Sequence, residues 1–182
     1  MRLFVSVDIH DLASEVDRIQ APLRELPGIN PTDPEQAHVT MKFLGEGDHD
    51  LEDLTAAVEA AVEGADTGTF EATFEGLGVF PSLDYISVIW LGVSDGTEPL
   101  TALHENLEFE TTALGYDEER HEFTPHVTLG RMDHAAAKED VQRLVREETP
   151  EAGSLHVDEL RLKKSTLTEE GPDYETVERF PL

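Results

Sequence analysis

The chain has 182 residues, with 40 Asp and Glu against 13 Lys and Arg, which gives a formal net charge of −27. It contains no cysteine, which excludes disulfide bonds, thiolate zinc sites and cysteine nucleophiles. So acidic a surface repels nucleic acid and excludes duplex binding through a broad basic patch, although contacts inside a cleft could still hold a polyanion.

Hydrophobic periodicity divides the first part of the chain into alternating strands and helices. In order, it predicts a strand at 2–9, a helix at about 12–26, a polar loop at 29–36, a strand ending near Gly45, a helix at about 51–62 and a half-buried strand at 69–75. Apolar residues at every second position predict the strands, and apolar residues three or four positions apart predict the helices.

The same order of elements then begins again. The patterns predict a strand at 85–93, a helix at 100–114, an acidic loop, a strand at 125–131, a helix around 141–145, a strand at 154–167 and a strand at 173–180 that pairs with it as a hairpin.

We therefore predict an α+β fold in a single bilobal domain over residues 1–182, with sequence halves of about 1–80 and 84–182. Two lobes related by a pseudo-twofold axis, each an antiparallel sheet flanked by helices, would enclose an active cleft between them.

Two of the predicted strands carry the same short pattern, His-Val-Thr. Because strand side chains alternate between faces, His38 and Thr40 share one face, as do His126 and Thr128. The apolar residues between and after them face the other way, into the core. If each lobe supplies one of these strands, two imidazoles and two hydroxyls converge on the cleft.

Two facing histidines suit acid–base chemistry, because one neutral imidazole can take a proton from water while one imidazolium protonates a leaving oxygen. The threonine hydroxyls can donate to phosphate oxygens. Arg131 could add a charge-assisted hydrogen bond to the phosphate. Strict alternation places Arg131 on the other face of the strand from His126, unless the strand ends or twists at Gly130. Neither motif has an Asp, Glu or Cys at ligand spacing, so we expect no metal and no cofactor.

Four stretches carry a family resemblance: Arg2 to Asp8, His38 to Gly45, Pro125 to Arg131, and Ser165 to Thr168 with Gly171-Pro172 and Tyr174. In these the chain resembles the RNA 2',3'-cyclic phosphodiesterases of the two-histidine phosphoesterase superfamily, also called the 2'-5' RNA ligase family. The resemblance implies metal-independent hydrolysis of a terminal 2',3'-cyclic phosphate to a 2'-phosphate, on RNA ends that include those of tRNA fragments. It implies one histidine as base and one as acid; we favour His126 as base, although the symmetric motifs leave the reverse assignment nearly as good.

The resemblance also implies that Phe43 stacks on the terminal base, an interaction worth about 1–3 kcal/mol. Alternation disagrees, since it sends Phe43 away from His38 and into the core. Lys163 and Lys164 stand out in so acidic a chain and fit either a guide for RNA or a solvated strand end.

Three hypotheses for function remain. The first is hydrolysis of the cyclic phosphate end, with small cyclic nucleotides as a further substrate class. The second is 2'-5' RNA ligase activity, in which the same groups join the cyclic end to a 5'-hydroxyl. The third is a non-catalytic protein that binds phosphate ends, although binding alone would favour Arg or Lys over two titrating imidazoles.

The acidity also bears on habitat. It is typical of proteins adapted to molar salt, where the screening length falls to about 3 Å. No apolar run approaches the roughly 18 residues of a membrane span, and no signal-peptide pattern is present. We therefore expect a halophile's cytoplasmic protein without membrane association, and a monomer, because no helix offers an obvious apolar outer surface.

Overall fold

A computed structural model describes residues 1–182 and contains four α-helices and nine strands. The strands are β1 (Arg2–Asp8), β2 (Ile29–Pro31), β3 (His38–Glu46), β4 (Phe70–Pro81), β5 (Ile86–Asp95), β6 (His126–Met132), β7 (Glu151–Val157), β8 (Glu159–Thr168) and β9 (Gly171–Pro181). The helices are α1 (Ala13–Arg24), α2 (Leu51–Ala65), α3 (Thr97–Ala113) and α4 (Lys138–Glu147). None of these helices combines the length and the apolar character needed to cross a lipid bilayer.

All nine strands belong to one antiparallel sheet in the order β7-β4-β5-β6-β3-β1-β8-β9, with β2 beside β6. The two strands that carry the His-Val-Thr motif, β3 and β6, are neighbours at its centre and pair through Val39 and Val127. The sheet is thus two four-stranded halves, β3-β1-β8-β9 and β6-β5-β4-β7, that run outward from this pair. The predicted α+β fold with two related antiparallel halves is confirmed.

The halves of the sheet do not coincide with the halves of the sequence. Strand β4 lies with β5 and β6, and the C-terminal hairpin of β8 and β9 lies beside β1. The helices also cross over: α1 packs against β6 and β7, and α3 packs against β3. Each motif strand is therefore covered by the helix that follows a strand of the other half.

The predicted strand at 154–167 is wrong, because the chain breaks at Asp158 into two strands. Strand β7 pairs with β4, whereas β8 pairs with β1 at the far side of the sheet. The predicted polar loop at 29–36 contains the short strand β2, which pairs with β6. Hydrophobic alternation describes which face a residue occupies but not which neighbour its strand pairs with, so it misses both features.

The core contains 32 buried hydrophobic residues. Val39, Met41, Val127 and Leu129 belong to it, and each is at most 1% exposed. The predicted apolar face of both motif strands is therefore confirmed, and it packs against the helices. The motif histidines and threonines lie on the opposite face of the sheet, which we call the cleft face.

Candidate active site

Strands β3 and β6 place four polar side chains on the cleft face: His38, Thr40, His126 and Thr128. Continuing the β3–β6 register by one residue on either side puts His38 opposite Thr128 and Thr40 opposite His126. Opposite residues of an antiparallel pair have Cβ atoms about 5 Å apart, and diagonal residues are about 7–8 Å apart. The structure therefore brings the four sequence-predicted residues together, with the two histidines diagonal to each other.

The same backbone contact orients both imidazoles. Nδ1 of His38 donates to the carbonyl oxygen of Gln36 at 2.9 Å, and Nδ1 of His126 donates to that of Thr124 at 2.6 Å. Because a carbonyl oxygen only accepts, Nδ1 carries the hydrogen in each ring and Nε2 of the neutral imidazole keeps its lone pair. Nε2 of His38 lies 3.1 Å from the hydroxyl of Thr40. Both rings can thus exchange a proton through Nε2.

A cluster of charged side chains lies beside His38 on the cleft face. Asp8 is the strand partner of His38, and its carboxylate accepts hydrogen bonds from Ser6 at 2.6 Å, Lys163 at 2.7 Å and Arg161 at 2.9 Å. Burial opposes the charged carboxylate, but these hydrogen bonds and positive charges outweigh it and hold the pKa of Asp8 below its ordinary value. Lys163 is only 9% exposed, so its interpretation as a solvated strand end is wrong.

Aromatic rings enclose His38 on its other sides. The ring centroids of Phe4 and Tyr174 lie 5.0 and 5.2 Å from that of His38. Burial is the largest cause that lowers the pKa of His38, and the charge of Lys163 adds to it. The carbonyl of Gln36 and the carboxylate of Asp8 act in the opposite direction, because both stabilise the imidazolium.

The ring of His126 also contacts aromatic side chains, but no charged group pairs with its strand neighbour. Phe80 lies edge-on to its ring at 4.9 Å, and Trp90 lies at 5.8 Å. Trp90 covers Gly78, where any side chain would collide with the indole. Gly92 is the strand partner of His126, at the position that Asp8 occupies beside His38. The two histidines therefore differ in electrostatic surroundings although their motifs are identical.

Phe43 lies on the cleft face and is 61% exposed, so its predicted burial in the core is wrong. The cause is a β-bulge, because the pairing of β1 with β3 skips Met41. One extra residue reverses the alternation of the residues that follow it. Phe43 is consequently the strand partner of Phe4, whose ring contacts His38.

Arg131 is turned to the cleft face by a matching bulge. The pairing of β5 with β6 skips Leu129, which follows its motif histidine at the same distance as Met41 follows the first. Strict alternation would have placed Arg131 and His126 on different faces of the sheet, and the bulge brings both side chains to the cleft face. After burial, the largest cause, the positive charge of Arg131 further lowers the pKa of His126.

Five of the 13 Lys and Arg side chains lie on the cleft face: Arg2, Arg131, Arg161, Lys163 and Arg179. Arg161, Lys163 and Arg179 are paired with Asp8 or Glu159 on the same face. The two buried side-chain donors without a partner, Nε1 of Trp90 and Nε of Arg161, belong to the same face. No three side chains of His, Asp or Glu are grouped so as to hold a metal ion. The arrangement suits an anionic substrate whose reaction requires proton transfer by the two imidazoles.

Several residues of this face were not predicted as part of the site: Asp8, Arg161, Phe80 and Trp90. Asp8 could have been identified from the sequence, because a carboxylate on the same strand face as Phe4 needs a partner for its charge. Arg161 could not, because its contact with Asp8 joins positions far apart in the chain.

Comparison with known proteins gives a consistent result. The model of the 2'-5' RNA ligase superfamily matches residues 10–168. The RNA 2',3'-cyclic phosphodiesterase of Methanothermobacter thermautotrophicus is 35% identical over 186 residues, covering 100% of this chain and 99% of the relative. The protein of the same name from Archaeoglobus fulgidus is 34% identical over 183 residues, covering 99% of each.

Solved structures agree on the fold. The crystal structure of a Thermus thermophilus protein superposes with a TM-score of 0.81 at 25% identity, covering 100% of this chain and 98% of that one. Escherichia coli LigT complexed with 3'-AMP gives a TM-score of 0.78 at 23% identity, covering 100% and 97%. The likeness extends over the full length in sequence and in structure.

Proposed function

The chain belongs to the 2'-5' RNA ligase superfamily, and from this premise we propose that it is a phosphodiesterase that opens 2',3'-cyclic phosphate ends of RNA to 2'-phosphates. Relatives with the name RNA 2',3'-cyclic phosphodiesterase align with nearly the whole chain. The observation that carries the proposal is the pair of imidazoles on the cleft face, each held through Nδ1 so that Nε2 is available for proton transfer.

The two rings have complementary tasks in this reaction. Nε2 of His126 takes a proton from water as the water oxygen bonds to phosphorus. Nε2 of His38 gives a proton to the departing 3'-oxygen as its bond to phosphorus breaks. The products are a 2'-phosphate and a 3'-hydroxyl, and proton exchange with solvent restores both rings.

The surroundings of the rings support this assignment. Asp8 lies beside His38 and stabilises its imidazolium, the form that an acid needs. No carboxylate partners His126, and Arg131 favours its neutral form, the form that a base needs. Burial is the largest cause that lowers both pKa values, but Asp8 partly offsets it at His38 whereas Arg131 adds to it at His126, so the neighbouring charges favour different roles for the two rings.

The remaining groups of the cleft face fit the substrate. The hydroxyls of Thr40 and Thr128 donate to the non-bridging phosphate oxygens, and Arg131 neutralises their charge. Phe43, exposed and opposite Phe4, stacks on the terminal base. Stacking tolerates any base, so ends of different RNAs, including tRNA fragments, are accepted.

The decisive test uses a short RNA that ends in a 2',3'-cyclic phosphate, incubated with the protein in EDTA and molar KCl. We expect a product with a 2'-phosphate, identified against 2'- and 3'-phosphate standards. His38→Ala and His126→Ala should each lose about 10²- to 10⁴-fold in rate while the circular dichroism spectrum is retained. His156→Ala is the matched control, because His156 is a solvent-exposed histidine paired with Glu71 on the outer strands.

The outcomes separate the hypotheses. A cyclic end that survives, or one that opens only after metal is added, contradicts metal-independent hydrolysis. A product joined to an added 5'-hydroxyl RNA through a 2'-5' bond would identify ligation as the reaction. Tight binding of the RNA end without any product would identify a binding protein.

A further inference from the structure

Two buried polar side chains lie on the helix side of the sheet, directly behind the site. Gln20 of α1 is 0% exposed and His104 of α3 is 8% exposed. Nε2 of Gln20 donates to the carbonyl oxygen of Leu129 at 2.9 Å, and Nδ1 of His104 donates to that of Met41 at 2.8 Å. Both carbonyls belong to the residue that strand pairing skips, so each helix contacts the bulge of a motif strand.

The two contacts are equivalent under the pseudo-twofold relation. Met41 and Leu129 both stand three positions after their motif histidine. Helix α1 follows β1 but reaches β6, and α3 follows β5 but reaches β3. A helix side chain therefore donates a hydrogen bond to the bulge carbonyl in both halves, from an amide in one half and from an imidazole in the other.

Each contact is reinforced. Arg24 donates to Oε1 of Gln20 at 3.0 Å, which orients the amide, and the backbone N–H of Thr32 also donates to the carbonyl of Leu129. The ring of His104 stacks on Phe123 at 4.2 Å with an interplanar angle of 5°. Phe123 directly precedes Thr124, whose carbonyl orients His126.

A second buried contact holds the first bulge. The residue after Met41 is Lys42, whose Nζ donates to Oε1 of Glu108 at 2.6 Å. Glu108 follows His104 by one helical turn, so both residues of the bulge are bound by α3. The second bulge has no counterpart, because Gly130 stands in place of Lys42 and is covered by β2.

A bulge carbonyl is out of register with the ladder and needs a hydrogen-bond donor from elsewhere. Without the donor, the strand can return to regular pairing, and a shift of one residue sends every later side chain to the other face. Phe43 would then point into the core, and so would Arg131 in the other half.

Resting on the function proposed above, we propose that His104 and Gln20 are matched positioning residues. His104 fixes the bulge that presents Phe43 to the RNA base, and Gln20 fixes the bulge that presents Arg131 to the phosphate. Neither touches substrate. His104 acts through the carbonyl of Met41, and Gln20 acts through the carbonyls of Leu129 and Thr32.

The test compares His104→Leu, which removes the donor, with His104→Gln, which supplies the group used in the other half. Thr111→Val is the control, because Thr111 is a buried polar residue of α3 whose hydroxyl bonds only to Leu107 in its own helix. We expect His104→Leu to raise KM about fivefold or more, as Phe43→Ala does, with little change in kcat. His104→Gln and Thr111→Val should keep the wild-type KM.

A double-mutant cycle separates positioning from general destabilisation. Adding His104→Leu to Phe43→Ala should raise KM no further, because both remove the same contact. Gln20→Leu should likewise add nothing to Arg131→Gln. Additive effects on KM would overturn the proposal. If His104→Leu fails to fold, a raised KM in His104→Gln would overturn it as well.

An activity-independent readout distinguishes this failure from failure of the proposed function. A 4-fluorophenylalanine at Phe43 reports solvent contact through its ¹⁹F shift between H₂O and D₂O. We expect contact in the wild type and in His104→Gln, and loss of contact in His104→Leu. A fluorine equally exposed in all three would refute the positioning role even if the RNA assay found no turnover.

Discussion

Asp8 and His38 are direct partners across the β1–β3 strand pair, and Gly92 holds the equivalent place beside His126. Two identical motifs therefore stand in different electric fields. Hydrogen bonds from Ser6, Lys163 and Arg161 keep the Asp8 carboxylate ionised. This asymmetry gives a physical reason for the histidines to take different roles.

We expect a bell-shaped dependence of kcat/KM on pH. The base His126 must be neutral, so the rate falls below its pKa, and the acid His38 must be protonated, so the rate falls above its pKa. Burial is the largest cause that lowers both pKa values, which places the bell on the acid side of about 6.5, the ordinary value for histidine. Initial rates at constant salt measure the apparent values of the pair, and a rate that keeps rising above about pH 8 would contradict the expectation.

Asp8→Asn and Lys163→Met should move the alkaline limb of this bell in opposite directions. Asp8 raises the pKa of His38, so its removal shifts the limb to lower pH. Lys163 lowers that pKa, so its removal shifts the limb to higher pH. The acid limb should stay in place in both variants. If instead the acid limb moves, His38 is the base and the assignment of roles is reversed.

Arg131→Gln should lower kcat/KM about 10- to 100-fold, because it removes a charged hydrogen bond worth about 1.5–3 kcal/mol. It should also shift the acid limb to higher pH, since the guanidinium lowers the pKa of His126. Arg120→Gln, in the exposed loop before β6, is the control and should change neither quantity. An unchanged rate in Arg131→Gln would remove this residue from the phosphate site.

Phe43→Ala should raise KM about 5- to 100-fold, corresponding to about 1–3 kcal/mol of lost base stacking, while kcat stays close to wild type. Because Phe43 is 61% exposed, the free energy of unfolding should change by less than about 0.5 kcal/mol. Phe109→Ala, an exposed aromatic of α3, serves as the control for lost apolar surface. Equal effects of the two substitutions on KM would argue against stacking by Phe43.

Lys42→Met should lower the free energy of unfolding by about 1.5–3 kcal/mol, because it removes a charged hydrogen bond and leaves the half-buried Glu108 carboxylate without its cation. The side chains of Lys42 and Glu108 are 4% and 16% exposed. Adding Glu108→Leu should restore part of the loss, since two apolar side chains need no partner. Denaturant unfolding in molar KCl measures both variants, and a double variant less stable than the single one would refute this account.

The two His-Val-Thr motifs, the apolar faces of their strands and most helices follow from residues close together in the chain. Alternation and helical spacing are local properties, so the order of residues alone places His38, Thr40, His126 and Thr128 correctly on one face. Repetition of the motif on two strands predicts that the two His-Thr pairs act together.

The orientation of Phe43 cannot be predicted from the residues next to it in the chain. Its orientation depends on a bulge at Met41, whose carbonyl oxygen accepts a hydrogen bond from His104 in a helix of the other half of the chain. Asp158, where one apolar pattern divides between two strands in opposite halves of the sheet, shows the same limit for strand pairing.

The amino-acid sequence by itself determined which residues could do chemistry and which faces they share, because those properties repeat every two or 3.6 residues. Only the tertiary structure decided that β3 and β6 are neighbours, that Phe43 and Arg131 turn towards the cleft, and that Asp8 supports one histidine alone. Each of these depends on hydrogen bonds between segments far apart in the chain, and no local pattern encodes the register of such contacts.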